Sequence, residues 1–496
     1  MAASDKYQKY TPLEHILARP DTYVGSLELD IDKQWILNKN KTGFEHKNIK
    51  HIPGLYKIYD EILVNAIDQA STDSNVDVIK VSIDGGTITV MNTGNGIPIE
   101  IHKKEKIYIP EMIFGQLLTS SNYNDSIKRT VGGRNGYGAK LANVFSSEFK
   151  LEIVDVHTQQ KFEMTWTNNM QQKSEPIISK MTCKKGSVTI SFTPDYKRFG
   201  LKKLDSDTFA LFEKRVYDAC ACTPENVNVY FNDKKLNYKN FEKYVDLYIG
   251  NKKETTRIYE STKRWDVVVC YSTNGYKQVS FVNGINTSVG GTHVDHVTRK
   301  LTNKIIDKII SKHPNSQVKA NFIKDHMFVF VKAILENPSF SSQTKTECTL
   351  KPQNFGSSFD CSEDFTKKLL KLGIMEDALA LAKHKEMREL SKTDGKKRSS
   401  IKGIPKLDDA NFAGTSKSEK CTLILTEGDS AKTFAVSGLG IVGRDYYGIF
   451  PLRGKLLNVR EASPKQLIDN LEINAIKQIL GLKSNMKSFG IVFLSF

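Results

Sequence analysis

Four glycines fall within seven residues at Gly132-Gly133-Arg134-Asn135-Gly136-Tyr137-Gly138, followed by Ala139-Lys140 and the helix-forming run LANVF. Glycine adopts backbone conformations closed to other residues, so a cluster this dense suits a loop that folds closely around something. Successive backbone N–H groups at a helix N-terminus form a nest that binds phosphate, and Arg134 and Lys140 add positive charge. The order G-x-x-G-x-G reverses the dinucleotide fingerprint. Ala139 also separates Gly138 from the lysine, where the Walker pattern has the two adjacent. Taken alone, the stretch also reads as a flexible loop.

Two earlier segments bear on the same chemistry. The periodic run Tyr56–Ala70, YKIYDEILVNAIDQA, predicts a helix. Within it, Asn65 and Asp68 fall within about 40° of Glu61 on one face. Three hard-oxygen side chains on such a stripe suit a magnesium ion and a general base, with Glu61 deprotonating a water and Asn65 a neutral metal ligand. The stripe also reads as a solvated helix face. Next, VIKVSI, the turn Asp84-Gly85-Gly86 and TITVM predict a β-hairpin that runs into Asn92-Thr93-Gly94-Asn95-Gly96. The two glycines there would let the backbone approach a flat ligand, and Asn92 offers a donor and an acceptor to an adenine-like edge. A plain loop is the other reading.

The chain has 496 residues, room for roughly three domains. It carries 72 basic and 56 acidic residues, a net +16, which favours a polyanionic partner without choosing between nucleic acid and a membrane surface. No apolar run approaches the roughly 20 residues needed to span a bilayer, so no membrane-spanning segment is expected. The opening MAASDKYQKY shows no secretory signal. The seven cysteines are dispersed, which suits a reducing compartment, and the C-x-C at Cys220 and Cys222 lacks a second pair, so no zinc is expected.

Strand candidates at 150–156, 160–166 and 188–193 predict a first domain of helices on one antiparallel sheet, over residues 1–235. A strand pair (WDVVVCYS, QVSFVNG), a helix at 294–312 and the strand MFVFVKAI predict a second α/β domain over 236–385 with a right-handed crossover. The stretch 383–406 holds nine Lys/Arg against three acids, and residues 386–418 read as a basic linker. CTLILTEGDSA, a buried-strand pattern entering an acidic turn, opens a third domain over 419–496.

Two more motifs lie in the later domains. Ser342-Gln343-Thr344-Lys345 reads as an exposed turn, or as a loop reaching a γ-phosphate from the neighbouring domain. Glu427-Gly428-Asp429-Ser430-Ala431 reads as a helix-capping turn, or as a strand-end acid suited to a divalent metal. In sequence order, EILVNAID, NTGNGIP and GGRNGYGAK form the pattern of the GHKL ATPases, a group that includes gyrase-type topoisomerases, a heat-shock chaperone, mismatch-repair proteins and histidine kinases. With YQKYTPLEHILARPDTYVGS, SSQTK, IKGIPKLDDAN, CTLILTEGDSAKTFAVSGLG and FPLRGKLLNVREAS added, the chain from Tyr7 to Leu482 resembles the eukaryotic and viral type IIA DNA topoisomerases. A chaperone or mismatch-repair protein would not carry EGDSA or PLRGK.

The resemblance implies an α/β (α+β) architecture: a GHKL (Bergerat) ATPase sandwich, a transducer domain and an incomplete TOPRIM domain. It implies ATP and Mg2+ as cofactors, with Glu61 the hydrolytic base and Asn65 the magnesium ligand. Asn92 would face the adenine, and Ser120, Ser121 and Asn122 the ribose and phosphates. Arg134, Asn135, Gly136, Tyr137, Gly138 and Lys140 would surround the triphosphate, and Gln343 and Lys345 would report the γ-phosphate. Tyr7 would reach the partner subunit's nucleotide, closing a homodimeric gate on double-stranded DNA. Glu427 would be the first TOPRIM metal-binding acid. The implied location is the nucleus, or a cytoplasmic viral factory.

The sequence departs from the family's pattern in three places. SKHPNSQVK offers only Lys312 and Lys319 where a lysine-rich loop is usual, and Val188 stands where a threonine is usual. After Gly481-Leu482 the tail KSNMKSFGIVFLSF shows no D-x-D acids, and no cleavage tyrosine follows. The expectation is an ATPase and strand-capture half that does not cut DNA by itself, the alternative being a non-cleaving, ATP-gated DNA clamp.

Overall fold

The structure is a computed structural model. It describes residues 9–119, 126–133, 136–314, 316, 318–393, 404–454 and 456–483, and of 491–495 the backbone alone. Two compact units emerge: residues 1–305 with 324–374, and residues 306–323 with 375–496.

In the first unit the central element is the helix Pro53–Thr72. Pro53 occupies its first turn, where the missing N–H costs nothing. Leu55, Ile58, Tyr59, Ile62, Leu63, Ala66, Ile67 and Ala70 recur at helical spacing and are all buried. This face is covered by the helices Gly138–Val144 and Ser206–Cys222 and by the strand Thr87–Gly94. Below lies a nine-stranded sheet in the order 234–235, 228–231, 78–84, 87–94, 186–194, 146–155, 160–167 and 172–173, with 177–180 also paired to 160–167. Burial alternates along Thr87–Gly94 and Gly186–Pro194, as a sheet with one face toward helices requires.

Two expectations are corrected here. The large sheet is not wholly antiparallel, because Asn228–Phe231 pairs in parallel with Val78–Val81 at one side. The first 60 residues, for which the sequence offers no strand signal, contain a long hairpin, Asp30–Leu37 with Phe44–His51. In the five-stranded second sheet, Trp265–Tyr271 and Lys277–Val282 do not pair with each other. Met327–Ala333 lies between them, antiparallel to the first and parallel to the second. The parallel pairing requires a crossover connection, and the helix Thr292–Lys312 supplies it.

The second unit holds a three-stranded parallel sheet with Thr422–Thr426 in the middle, flanked by Tyr447–Pro451 and Ile491–Ser495. The tail, which departs from the family's pattern in sequence, thus contributes a strand to this sheet. The stretch read as a linker is partly helical, since the helix Ile374–Lys392 runs into it. Residues 394–403 of that stretch lie outside the described residues. Among the described residues, no helix is long and apolar enough to cross a membrane.

Candidate functional site

A cavity of about 820 Å³ opens in the first unit between the helix Pro53–Thr72, the sheet and the glycine-rich loop. One wall is the sheet. Val90 pairs with Ile190 and Asn92 with Val188, so these four side chains form one patch that is mostly apolar. Asn92 is buried there, and its amide donates to Thr93 O at 3.0 Å.

The helix forms a second wall, and Glu61 is its chemical centre. Only 3% of Glu61 is exposed, and two buried lysines converge on its Oε1. Lys57 Nζ lies 2.7 Å away, one turn earlier on the same helix, and Lys345 Nζ lies 2.9 Å away. Burial by itself raises the pKa of this carboxyl, but the charges of Lys345 and Lys57 outweigh burial and hold it at about 2. In return, Glu61 holds Lys345 above the ordinary lysine value against its burial. At Lys57 burial wins and lowers the pKa. The second oxygen, Oε2, lies against Gly138, where a β-carbon would overlap it. That glycine is therefore required by the neighbouring carboxylate.

Asp68, grouped with Glu61 and Asn65 on sequence grounds, does something different. Its carboxylate accepts from Gly132 N–H at 2.9 Å and Gly133 N–H at 2.9 Å, tying the glycine-rich loop to the helix. Burial raises its pKa to about 6, against those two hydrogen bonds. Lys140, on the helix Gly138–Val144, is 4% exposed and donates to Thr119 O at 2.6 Å; burial lowers its pKa to about 8.

Of the residues singled out from sequence, Glu61, Asn65, Asn92, Gly136, Tyr137, Gly138, Lys140, Gln343 and Lys345 all line this one cavity. Tyr7, Ser120, Ser121, Asn122, Arg134 and Asn135 lie outside the described residues. Glu427 belongs to the second unit, exposed at the end of the central strand Thr422–Thr426. Gly94 and Gly96 pack closely on protein, since β-carbons there would meet the Asp73 carboxylate and Val154 O. Sequence reasoning missed Lys57, whose spacing of four residues before Glu61 was the available signal.

The site fits a magnesium nucleotide in its donor set. Asn65 offers a neutral oxygen beside an acidic group, Lys140 and Lys345 offer cations, and the apolar sheet wall offers a slot for a planar base. Among the described residues of either unit, no three acids, histidines or cysteines cluster to hold a metal.

Comparisons with known proteins bear on the fold and the family. A family model described as histidine kinase-, DNA gyrase B- and HSP90-like ATPase matches residues 50–197, and one described as DNA gyrase B matches residues 231–395. DNA topoisomerase 2 of Arabidopsis thaliana is 48% identical over 492 residues, covering 97% of this chain and 33% of that protein. The corresponding protein of Acanthamoeba polyphaga mimivirus is 50% identical over 491 residues, covering 97% and 38%. The chain thus spans about a third of the length of these relatives. Among solved structures, the ATPase region of Saccharomyces cerevisiae topoisomerase II superposes with a TM-score of 0.73 at 45% identity, covering 77% of this chain and all of that one. The ATPase and transducer domains of DNA topoisomerase II from Balamuthia mandrillaris give 0.75 at 39%, covering 78% and all of that chain. With the whole of two solved ATPase regions matched, this chain belongs to the DNA topoisomerase 2 family.

Proposed function

We propose that this chain binds and hydrolyses ATP, and that it serves as the ATP-driven, DNA-capturing part of a type II DNA topoisomerase. The observation that carries the reading is the meeting of Glu61, Asn65, Lys140 and the Gln343–Lys345 loop in one cavity, beside a glycine-rich loop and an apolar slot. The base lies in the slot of Val90, Asn92, Val188 and Ile190. Asn65 would hold a magnesium ion, which would supply charge neutralisation to the phosphates. Lys140 and the glycine-rich loop face the triphosphate.

Glu61 orients the attacking water and accepts its proton. Clamped by Lys57 and Lys345, it is a poor base, its pKa held at about 2. When Lys345 turns to the γ-phosphate, Glu61 loses one of its two counter-charges and becomes more basic. The lysine that senses the substrate is thereby the one that releases the base. Gln343 and Lys345 carry this change to the transducer sheet.

The remaining assignments extend the same reading. Tyr7 reaches the partner subunit's nucleotide, so that ATP closes a homodimer around double-stranded DNA. Glu427 is a metal-binding acid of a TOPRIM domain. The setting is the nucleus or a viral factory, consistent with relatives from both eukaryotes and a large virus. The test is phosphate release by the purified chain, alongside binding of a fluorescent ATP analogue. Slow hydrolysis, stimulated by DNA, is expected. Glu61→Ala should lose turnover and keep binding, and unchanged hydrolysis in that variant would remove Glu61 as the base.

A further inference from the structure

The backbone Lys128–Val131, which leads into the glycine-rich loop, lines the cavity on one side. On the other side it is fastened to the residues that follow the strand Met327–Ala333. Arg129 N–H donates to Asn337 Oδ1 at 3.0 Å, and Asn337 N–H donates back to Arg129 O at 2.8 Å. Lys128 Nζ pairs with Glu336 at 3.0 Å. Asn283, buried in the turn after Lys277–Val282, donates to Leu335 O at 2.9 Å and to Val131 O at 3.4 Å, and accepts from Leu335 N–H at 2.7 Å. Packing is equally close: a β-carbon on Gly132 would sit 2.6 Å from Ile285 Cδ1. Asn283 and Asn337 both have positive φ, 49° and 44°, which asparagine tolerates better than most residues. Their side chains and their backbone shapes thus serve the same junction.

Eight residues beyond Asn337 the same chain places Lys345 on Glu61. One short segment therefore touches the stem of the phosphate-facing loop at one end and the hydrolytic carboxylate at the other. We infer that Asn337, braced by Asn283, is a positioning residue that fixes the stem Lys128–Gly133. Through it, nucleotide binding reaches the segment carrying Gln343 and Lys345 by a route that needs no γ-phosphate. This rests on the ATP-site reading and adds to it a second connection between cavity and transducer.

The probe is ADP, which leaves Gln343 and Lys345 without their proposed phosphate contact. In the full chain, ADP should slow amide hydrogen exchange at both Thr130–Gly133 and Leu335–Asn337, by at least about threefold, the low end of the net effect of one neutral hydrogen bond. Asn337→Gly accepts the positive φ and deletes the side chain, including the Oδ1 that accepts from Arg129 N–H. It should abolish the response at Leu335–Asn337 and lower kcat/KM for ATP about fivefold, the scale of one hydrogen bond, with the loss carried by KM. Asn337→Asp keeps an acceptor and should restore both. The inference is overturned if ADP leaves Leu335–Asn337 unchanged in the wild type, if the response survives Asn337→Gly, if Asn337→Asp fails to restore it, or if Asn337→Gly lowers Tm with KM unaltered. Binding of a fluorescent ADP analogue, followed in parallel, separates the two failures. No binding by the wild type overturns the ATP-site reading and this inference with it, whereas binding without a response at Leu335–Asn337 overturns this inference alone.

Discussion

Two buried lysines on one carboxylate oxygen make a quantitative prediction through a double-mutant cycle of Glu61→Gln and Lys345→Met. Removing one member of a buried ion pair costs about 3–5 kcal/mol when the other is left alone. Lys345→Met should cost less, about 2 kcal/mol, because Lys57 stays 2.7 Å from Glu61 Oε1 and still compensates it. Glu61→Gln should cost about 3 kcal/mol, because it leaves two buried ammonium groups with more distant acids alone, Asp60 at 3.9 Å from Lys57 and Asp60 and Asp68 near Lys345. The double variant leaves a single lysine and no carboxylate, so its cost should fall about 2 kcal/mol short of the sum. Urea unfolding of the nucleotide-free protein at pH 7, followed by circular dichroism, measures all four corners. The acid limb gives an independent reading. Glu61 is depressed from 4.5 to about 2, so its contribution is fully present above pH 4.5 and is lost as pH falls toward 2. That depression corresponds to roughly 3 kcal/mol, and in Lys345→Met the loss should begin at higher pH. Saturation with a non-hydrolysable ATP analogue should shrink the coupling as Lys345 leaves Glu61. Single-variant costs that add to within about 0.5 kcal/mol would refute the clamp.

Two further perturbations probe the same cavity. Gly138→Ala would push a β-carbon into Glu61 Oε2, so ATP turnover should fall at least tenfold while the protein remains folded by circular dichroism. Unchanged turnover would mean that the carboxylate position is not needed. Lys140, with its pKa lowered to about 8, is charged below that pH and neutral above it. Nucleotide affinity should therefore weaken as pH rises through 8, and Lys140→Met, weak throughout, should lack that limb in a titration of a fluorescent ATP analogue.

Local patterns read well in this sequence and long-range ones did not. The period of Leu55, Ile58, Ile62 and Ile67 marks a helix because each apolar residue needs only its own helix to define a face. The alternation of VIKVSI and TITVM, with Asp-Gly-Gly between them, marks a hairpin for the same reason. By contrast, nothing in WDVVVCY or KQVSFV announces that MFVFVKA, some fifty residues on, will lie between them. Strand order is decided by the crossover helix and by what each face must cover. The hairpin Asp30–Leu37 and Phe44–His51 escaped notice because exposed polar residues dominate it, and only a few of its side chains are buried. At the site, residues such as Glu61 and Lys345 stood out by type and motif. Lys57 did not, because a lysine on an amphipathic helix ordinarily lies in solvent, and its burial depends on a carboxylate and a loop that arrive from elsewhere.

The eight-residue step from Asn337 to Lys345 has the look of a connecting loop, with Ser341 and Ser342 exposed at its crest. Loops of that kind commonly accept insertions. This one is fastened at both ends, to Arg129 and to Glu61, and so acts as a gauge of fixed length. One added residue would lengthen its reach by up to about 3.5 Å, more than a buried ion pair tolerates. In its dimensions, a stretch that sequence comparison would classify as surface should be as intolerant of change as the hydrophobic core.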